Sequence, residues 1–408
     1  MEVREFFRKH LMKVFIAFIG LQLVIFGFIQ SRNHKPVANP DQVEVIEGRA
    51  AKASPLANDL DKDVKDTIRL STLSQPQHGT SIQKRNIIIY TPNKDFSGKD
   101  SLSYTITDGK KDSKPAWVVF QINKNQGPLT RPDNAVVFGG GSAVIYTLDN
   151  DEDKEKDSLT IVETTMPLYG EVIISENRLF YTAPNSAITV DSFYYTVSDG
   201  KNLSKKTPVK IRIQKKTDPC YPWLSMDIGD VSIPGKIVCA NNSMAIEVSG
   251  TDIWNNSDGF YFAYQIISGD FEISAKVESL EGPHEWTKSG LMLRENLDSG
   301  SKNVFIGVTT KNGITTQARP SPRETSENGE RKSELKAPYW LKLSREGDSI
   351  RGYVSPEGIK WQKLEGTVIP FAENAYVGIA VTSHDNKAIC KTIVSNYKLK
   401  GKAATFKK

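Results

Sequence analysis

Two stretches of this chain repeat each other at a fixed offset, so whatever they fold into must be a module that can be used twice. Residues 87–114 read IIIYTPNKDFSGKDSLSYTITDGKKDSK, and residues 178–205 read RLFYTAPNSAITVDSFYYTVSDGKNLSK. Tyr90-Thr91 matches Tyr181-Thr182, Asp100-Ser101 matches Asp191-Ser192, and Asp108-Gly109-Lys110 matches Asp199-Gly200-Lys201. Upstream, Pro76 and Gly79 match Pro167 and Gly170, all 91 positions apart, so the copies align without a gap. Each copy consists of short alternating runs, such as Ser103-Tyr104-Thr105-Ile106-Thr107, separated by Asp, Gly, Asn and Pro turns. That pattern predicts a β-sandwich of immunoglobulin-like size, once over 41–125 and again over 126–216.

The first copy carries further landmarks: Pro36-Val37-Ala38-Asn39, Leu56-Ala57-Asn58-Asp59-Leu60-Asp61, Gln75 to Thr80, and Phe96-Ser97-Gly98. On these residues the copies resemble the cadherin-like, Ig-like tandem repeats of large bacterial surface proteins. The resemblance implies spacer and adhesion roles. The second copy departs from it, with Ala187-Ile188-Thr189 in place of the Phe-Ser-Gly turn.

Residues 14–29, VFIAFIGLQLVIFGFI, form an uncharged apolar run behind Arg4, Arg8, Lys9 and Lys13. The basic flank predicts a cytoplasmic N-terminus and an outward-facing remainder. An uncleaved signal anchor over 1–30 is expected, with a cleaved signal peptide and secretion as the alternative. The residues after Ile29 show no small-x-small cleavage pattern. The expected location is the bacterial cell membrane, single-pass, with the bulk of the chain periplasmic or extracellular. A polar linker over 31–40 follows. The formal charge of +5 is small for 408 residues, and no basic stripe with interleaved aromatics occurs, which argues against nucleic acid as a partner. The cysteines are Cys220, Cys239 and Cys390, without a CxxC pair. They fit either one disulfide in an exported chain, Cys239 to Cys390 being the preferred pairing, or three free thiols.

After a polar linker ending at Pro219, residues 220–401 are again patterned as strands and are too long for one Ig-like copy. They suit a larger jelly-roll sandwich, followed by a basic tail over 402–408. Within them, Trp254–Val277 reads as two alternating strands joined at Ser268-Gly269-Asp270, with Phe260, Phe262 and Tyr264 on one face of the first strand. Landmarks run through the whole segment: Asp252-Ile253-Trp254, Asp258-Gly259-Phe260, Gly290 to Glu295, Gln317-Ala318-Arg319, Tyr339 to Leu343, and Tyr376 to His384. On these the segment resembles the concanavalin-like β-sandwich family of unknown function that recurs at the ends of bacterial surface proteins and carbohydrate-active enzymes. The resemblance implies a lectin-type fold. It departs at Ser355-Pro356-Glu357-Gly358, where the family has Asp before the Gly. The whole chain is therefore expected to be all-β, two Ig-like sandwiches then a concanavalin-like one, with a single N-terminal hydrophobic helix.

Binding has better candidates than catalysis. Arg294 shares a strand face with Met292, and Arg319 with Gln317. A guanidinium inside an apolar strand must be paired or meet a ligand. With Trp340 or Tyr353 to stack on a sugar ring, and His384 nearby in a landmark, these residues suggest a site for a glycan or cell-surface polysaccharide, with the arginines favouring an anionic one. The alternative is an internal salt bridge from Arg294 to Glu295, Glu272 or Asp258. An anchored polysaccharide-acting enzyme, of hydrolase or lyase type, is the competing function. Yet Glu272 and Glu278 lie about 20 Å apart along one strand, too far for a catalytic carboxylate pair. No motif requires a cofactor. The acidic loops Asp59, Asp61, Asp63 and Asp149, Asp151, Asp153 offer hard oxygens for Ca2+, or are solvated turns balanced by Lys62 and Lys154.

Overall fold

A computed structural model of the chain describes Met12 and residues 33–404. The expected N-terminal helix and the end of the basic tail lie outside the described residues. Among the described residues no helix is long and apolar enough to cross a membrane. The chain divides into two compact units, one ending at Gln126 and the other beginning at Gly127.

The first unit is an Ig-like sandwich. A four-stranded sheet, in the order Asp41–Ile46, Ala116–Asn123, Gly98–Thr107, Arg69–Leu73, faces a three-stranded one, in the order Ala51–Ala53, Ile87–Pro92, Gly79–Lys84. Alternation decides what is buried: Leu102, Tyr104 and Ile106 point into the core and the residues between them point out. Asn33 and His34 bond across to Asp108 and Asp63, so the polar segment before the first strand is tied to this unit.

The second unit opens with the other copy. Strands Thr160–Thr164, Val190–Ser198, Thr207–Gln214 and Asp133–Phe138 form its larger sheet, and Glu171–Ser175, Arg178–Thr182 and Ser142–Ile145 its smaller one. In both copies the first strand joins the last in parallel. The repeated residues have repeated work. Tyr90 donates its hydroxyl to Asp100 at 2.9 Å, and Tyr181 donates to Asp191 at 2.7 Å. Each aspartate also accepts backbone N–H bonds from the turn opposite, from Gln77 and His78 or from Leu168 and Gly170. The matched glycine must be glycine. A Cβ on Gly79 would lie 2.5 Å from the Tyr90 ring, and one on Gly170 would lie 2.4 Å from the Tyr181 hydroxyl.

The remainder is a two-layered sandwich. One layer holds Leu224–Gly229, Asn374–Thr382, Lys288–Arg294, Asn303–Thr309, Ile314–Arg319 and Glu327–Lys332. The other holds Lys236–Ala240, Ser243–Val248, Cys390–Ala403, Tyr339–Glu346 and Ser349–Ser355, with two short strands beyond. The expected hairpin at Ser268–Asp270 is instead a bend within one strand, Gly259–Glu281, that serves both layers. Its first half pairs with Leu224–Gly229 and Asn374–Thr382, and its second with Tyr339–Glu346 and Cys390–Ala403. Gly269, at φ +73°, supplies the kink, and its N–H donates to the Glu373 carbonyl. Strands flank both halves, so the chain continues rather than doubling back. Between the layers lies an aliphatic core that includes Ile273, Val277, Leu291, Leu293, Ile306, Leu341 and Ile379.

The disulfide joins Cys220 to Cys239, and Cys390 is a buried free thiol. The expected Cys239–Cys390 pairing fails on register. Cys239 lies opposite Met244, which pairs with Val394, whereas Cys390 lies opposite Val248. That is four residues, or roughly 13 Å, farther along the strand, beyond the reach of a disulfide. Burial pushes the Cys390 thiol up to about 12, which leaves it protonated and unreactive.

Candidate functional site

The two arginines come together, but around an internal partner. Strand register places Asn303 between them, opposite Arg294 on one side and Arg319 on the other. Both guanidiniums converge on Asp258, Arg294 at 3.1 Å and Arg319 at 2.6 and 2.9 Å, and all three side chains are 0% exposed. Asn303 adds a bond to the same carboxylate at 3.3 Å. The remaining N–H groups donate to carbonyls of Asn296, Asp298, Trp254, Asn255 and Ser301. The anionic-sugar fork expected at Arg294 and Arg319 is therefore closed. Every donor direction is satisfied inside the protein, and Asp258, rather than Glu295 or Glu272, is the partner. Gln317 is buried on the same face, opposite Phe305.

The centre of that face of the first layer is covered. Phe260, Phe262, Tyr264, Met292, Phe305 and Tyr376 form a second core outside the sandwich, joined by Ile253 from the loop before the long strand and by Val136 from the neighbouring Ig-like copy. Ion pairs hold that loop at two points. Asp258 binds the arginines, and Asp252 binds the buried Lys288 at 2.6 Å and His384 Nε2 at 3.1 Å. His384 stacks on His284, with centroids 4.1 Å apart, and the Asp252 carboxylate raises its pKa. Burial lowers the Lys288 pKa against the pull of Asp252. His384 thus joins the pins of this loop and sits apart from Trp340 and Tyr353.

The outer face of the second layer is open. Register sets Lys398, Ser274, Lys342, Tyr353 and Lys363 in one row across its strands, with Lys276 and Trp340 in the next row and Lys400, Glu272, Ser344 and Arg351 in the row on the other side. The Lys342 ammonium lies 4.8 Å from the Tyr353 ring and 4.6 Å from the Trp361 ring. Trp340 meets Trp361 edge-on at 6.5 Å. Trp340, Tyr353 and Trp361 are all half-buried, so part of each ring meets solvent. Sequence reasoning found Trp340 and Tyr353 but singled out neither Trp361 nor Lys342 as a site residue. The alternation Trp340-x-Lys342, opposite Tyr353 on the next strand, carried that signal.

Of the aspartates expected to hold Ca2+, two are structural. Asp59 accepts the Tyr104 hydroxyl and Asp151 the Tyr195 hydroxyl, each at 3.0 Å. Asp61 accepts the Asp63 N–H, Asp63 pairs with His34, and the Asp149 carboxylate accepts from Asn296. Asp153 alone of the six enters a cluster, with Asp157 and Asp199, whose oxygens lie within 4.8 Å of one another. Three carboxylates fit a hard cation in kind, but they are short of the six to eight oxygens Ca2+ takes. Asp199 was visible in the repeat pattern, and Asp157 matches Asp66 at the same offset.

A cavity of about 260 Å³ separates the second Ig-like copy from the sandwich, lined in part by Asp133, Asp149, Asn150, Asp227, Asn296 and Asp298. Burial, reinforced by the Asp151 charge, holds the Asp133 carboxyl at about 8. Burial likewise raises Asp149 and Asp151 to about 6 each.

The fold defines a modular all-β protein, two Ig-like sandwiches followed by a larger two-layered β-sandwich. A family model described as Bacterial Ig domain matches residues 33–121 and 125–212. Over 113 residues the chain is 35% identical to Protein GAMETE EXPRESSED 2 of Arabidopsis thaliana, a match that spans 28% of this chain and 12% of that protein's length. Among solved structures, a functionally unknown protein from Saccharomyces cerevisiae aligns at 14% identity over 45% of this chain and 99% of its own, with a TM-score of 0.37. A carbohydrate binding module from Bacillus subtilis aligns at 12% identity over 43% and 95%, with a TM-score of 0.31. A protein of unknown function with a galectin-like fold, also from Bacillus subtilis, aligns at 6% identity over 45% and 91%, with a TM-score of 0.30.

Proposed function

We propose that this chain is a membrane-tethered, extracytoplasmic binding or adhesion protein that presents its C-terminal sandwich to a glycan on two Ig-like spacers. In this reading the apolar run at 14–29 is the tether, in the bacterial cell membrane, and the protein is not an enzyme. The observation that carries the glycan assignment is the ring set Trp340, Tyr353 and Trp361 around Lys342 on the open face. Half-buried aromatic rings beside a cation give a sugar both a stacking surface and a polar partner. On the opposite layer the centre of the outer face, around Phe262 and Met292, is a core.

A glycan array probed with the full chain tests this. Trp340→Ala and Trp361→Ala are expected to weaken binding about tenfold or more, while Arg294→Lys, placed in the buried network, acts on stability instead. Binding that survives loss of both indoles in folded protein would remove the site. Ca2+ enters as an accessory ligand of the second Ig-like copy at Asp153, Asp157 and Asp199. Millimolar Ca2+ is expected to raise the melting temperature of the full chain by a few degrees over the same protein in chelator, and Asp153→Asn to abolish the rise. Coincident melting curves with and without Ca2+ would end that assignment.

A further inference from the structure

We infer that the open face of the second layer docks an anionic polysaccharide whose charged groups fall on alternate sugar rings. This rests on the glycan reading above and deepens it. Around this row the cations Lys276, Lys342, Arg351, Lys363, Lys398 and Lys400 stand against Glu272, Glu278 and Glu346. Each of the acids is already engaged: Glu272 with Lys342 at 3.4 Å and Lys400 at 3.3 Å, Glu278 with Lys276 at 2.7 Å, and Glu346 with Arg351 at 3.4 Å. Among the described residues Lys363 and Lys398 enter no ion pair, and both are exposed. The face therefore has cationic groups to spare, and they sit at the two ends of one row.

The row has a period. From Lys398 to Lys342 is two strand-to-strand steps, through Ser274, and from Lys342 to Lys363 is two more, through Tyr353. At about 4.8 Å per step the three ammonium stems recur every ~10 Å in a line across the strands. A polymer laid along this line meets a cation at every second sugar ring, with the Tyr353 and Trp361 rings beside the middle one. Neutral hydroxyls would leave the end lysines without a role. Phosphates of a nucleic acid follow one another more closely than this spacing, and a strand of that charge density favours a denser basic tract than one in which acids already hold part of the cations.

The test uses the full chain with three probes: an oligosaccharide bearing one carboxylate on every second ring, the same oligosaccharide reduced to the neutral alcohol, and a single-stranded oligonucleotide of equal charge. The carboxylated probe is expected to bind about tenfold or more tighter than the neutral one, and to weaken as salt rises. Lys363→Glu and Lys398→Glu, both at exposed positions, are expected to remove that preference without moving the melting temperature. If the neutral probe binds equally well, sensitive to Trp340→Ala but not to either Lys→Glu change, the charge assignment falls and the glycan reading stands. Oligonucleotide binding as tight as that of the carboxylated sugar overturns the inference in favour of a general polyanion surface. If neither sugar binds, in the array or here, the glycan reading itself fails.

Discussion

Asp258→Ala is expected to destabilise the second unit by about 3–5 kcal/mol, because it leaves two buried guanidiniums without their counter-charge. Arg294 and Arg319 are both fully enclosed, and Asp258 is the carboxylate they share. The carbonyls of Asn296, Asn255 and Ser301 would still accept from them, but dipoles do not replace a desolvated anion. Asp258→Asn keeps the shape and loses the charge, so it should fall between the wild type and the alanine variant. Chemical denaturation of the full chain reads the difference in the transition of the second unit. A loss below about 1 kcal/mol for the alanine variant would show that the arginines do not depend on this carboxylate. The same substitution frees one anchor of the loop over the first layer, so the transition should also begin to expose Phe260 and Phe262.

The second large effect is one of pH. The Asp133 carboxyl is held at about 8 by burial and then by the Asp151 charge, with Asp298 adding to the repulsion and the Tyr195 hydroxyl and Asn150 amide opposing it. Burial raises Asp149, with Asp298 and Glu295 adding to it, and raises Asp151 against the opposing pull of Arg131 and Arg323. A carboxyl raised in the folded state binds its proton more tightly there than in the unfolded chain. Its contribution is therefore fully present below about 4 and is lost as pH rises through about 8. The second unit should lose stability steadily over that window, by a few kcal/mol in all. Asp133→Asn cannot ionise, so it should match the wild type near pH 4 and exceed it at pH 8 and above. Melting curves of the two proteins against pH decide the matter; parallel curves would sink the assignment.

The Ig-like modules were legible because the residues that repeat are those whose chemistry repeats. The Tyr–Asp pairs and the Gly79 and Gly170 contacts need particular atoms in particular places, so two copies of one fold keep them in register. The sandwich was legible as strands for the same reason of alternation. The bend at Gly269 was not, since Ser-Gly-Asp serves a tight turn and a kink equally well. Only strands far away in sequence, at 374–382 and 390–403, determine which it becomes. Arg294 pointed to a partner, and Asp258 was one of three carboxylates it could have meant. Asp258 lies 36 positions from Arg294 and 61 from Arg319 and reads locally as a loop residue. The open face escaped in part because its row is drawn from strands that meet only through long-range register, and no local pattern records that Lys398 and Lys363 lie on one line.

The long strand Gly259–Glu281 also sets how the C-terminal sandwich carries load. The chain enters this domain through Leu224–Gly229, hydrogen-bonded to the first half of that strand, and leaves it through Cys390–Ala403, hydrogen-bonded to the second half. By register Leu224 lies opposite Tyr264 and Ala403 opposite Ile267, so both ends of the domain meet the long strand at its bend. A pull between the two ends would therefore be borne around Gly269, where the strand passes from one layer to the other.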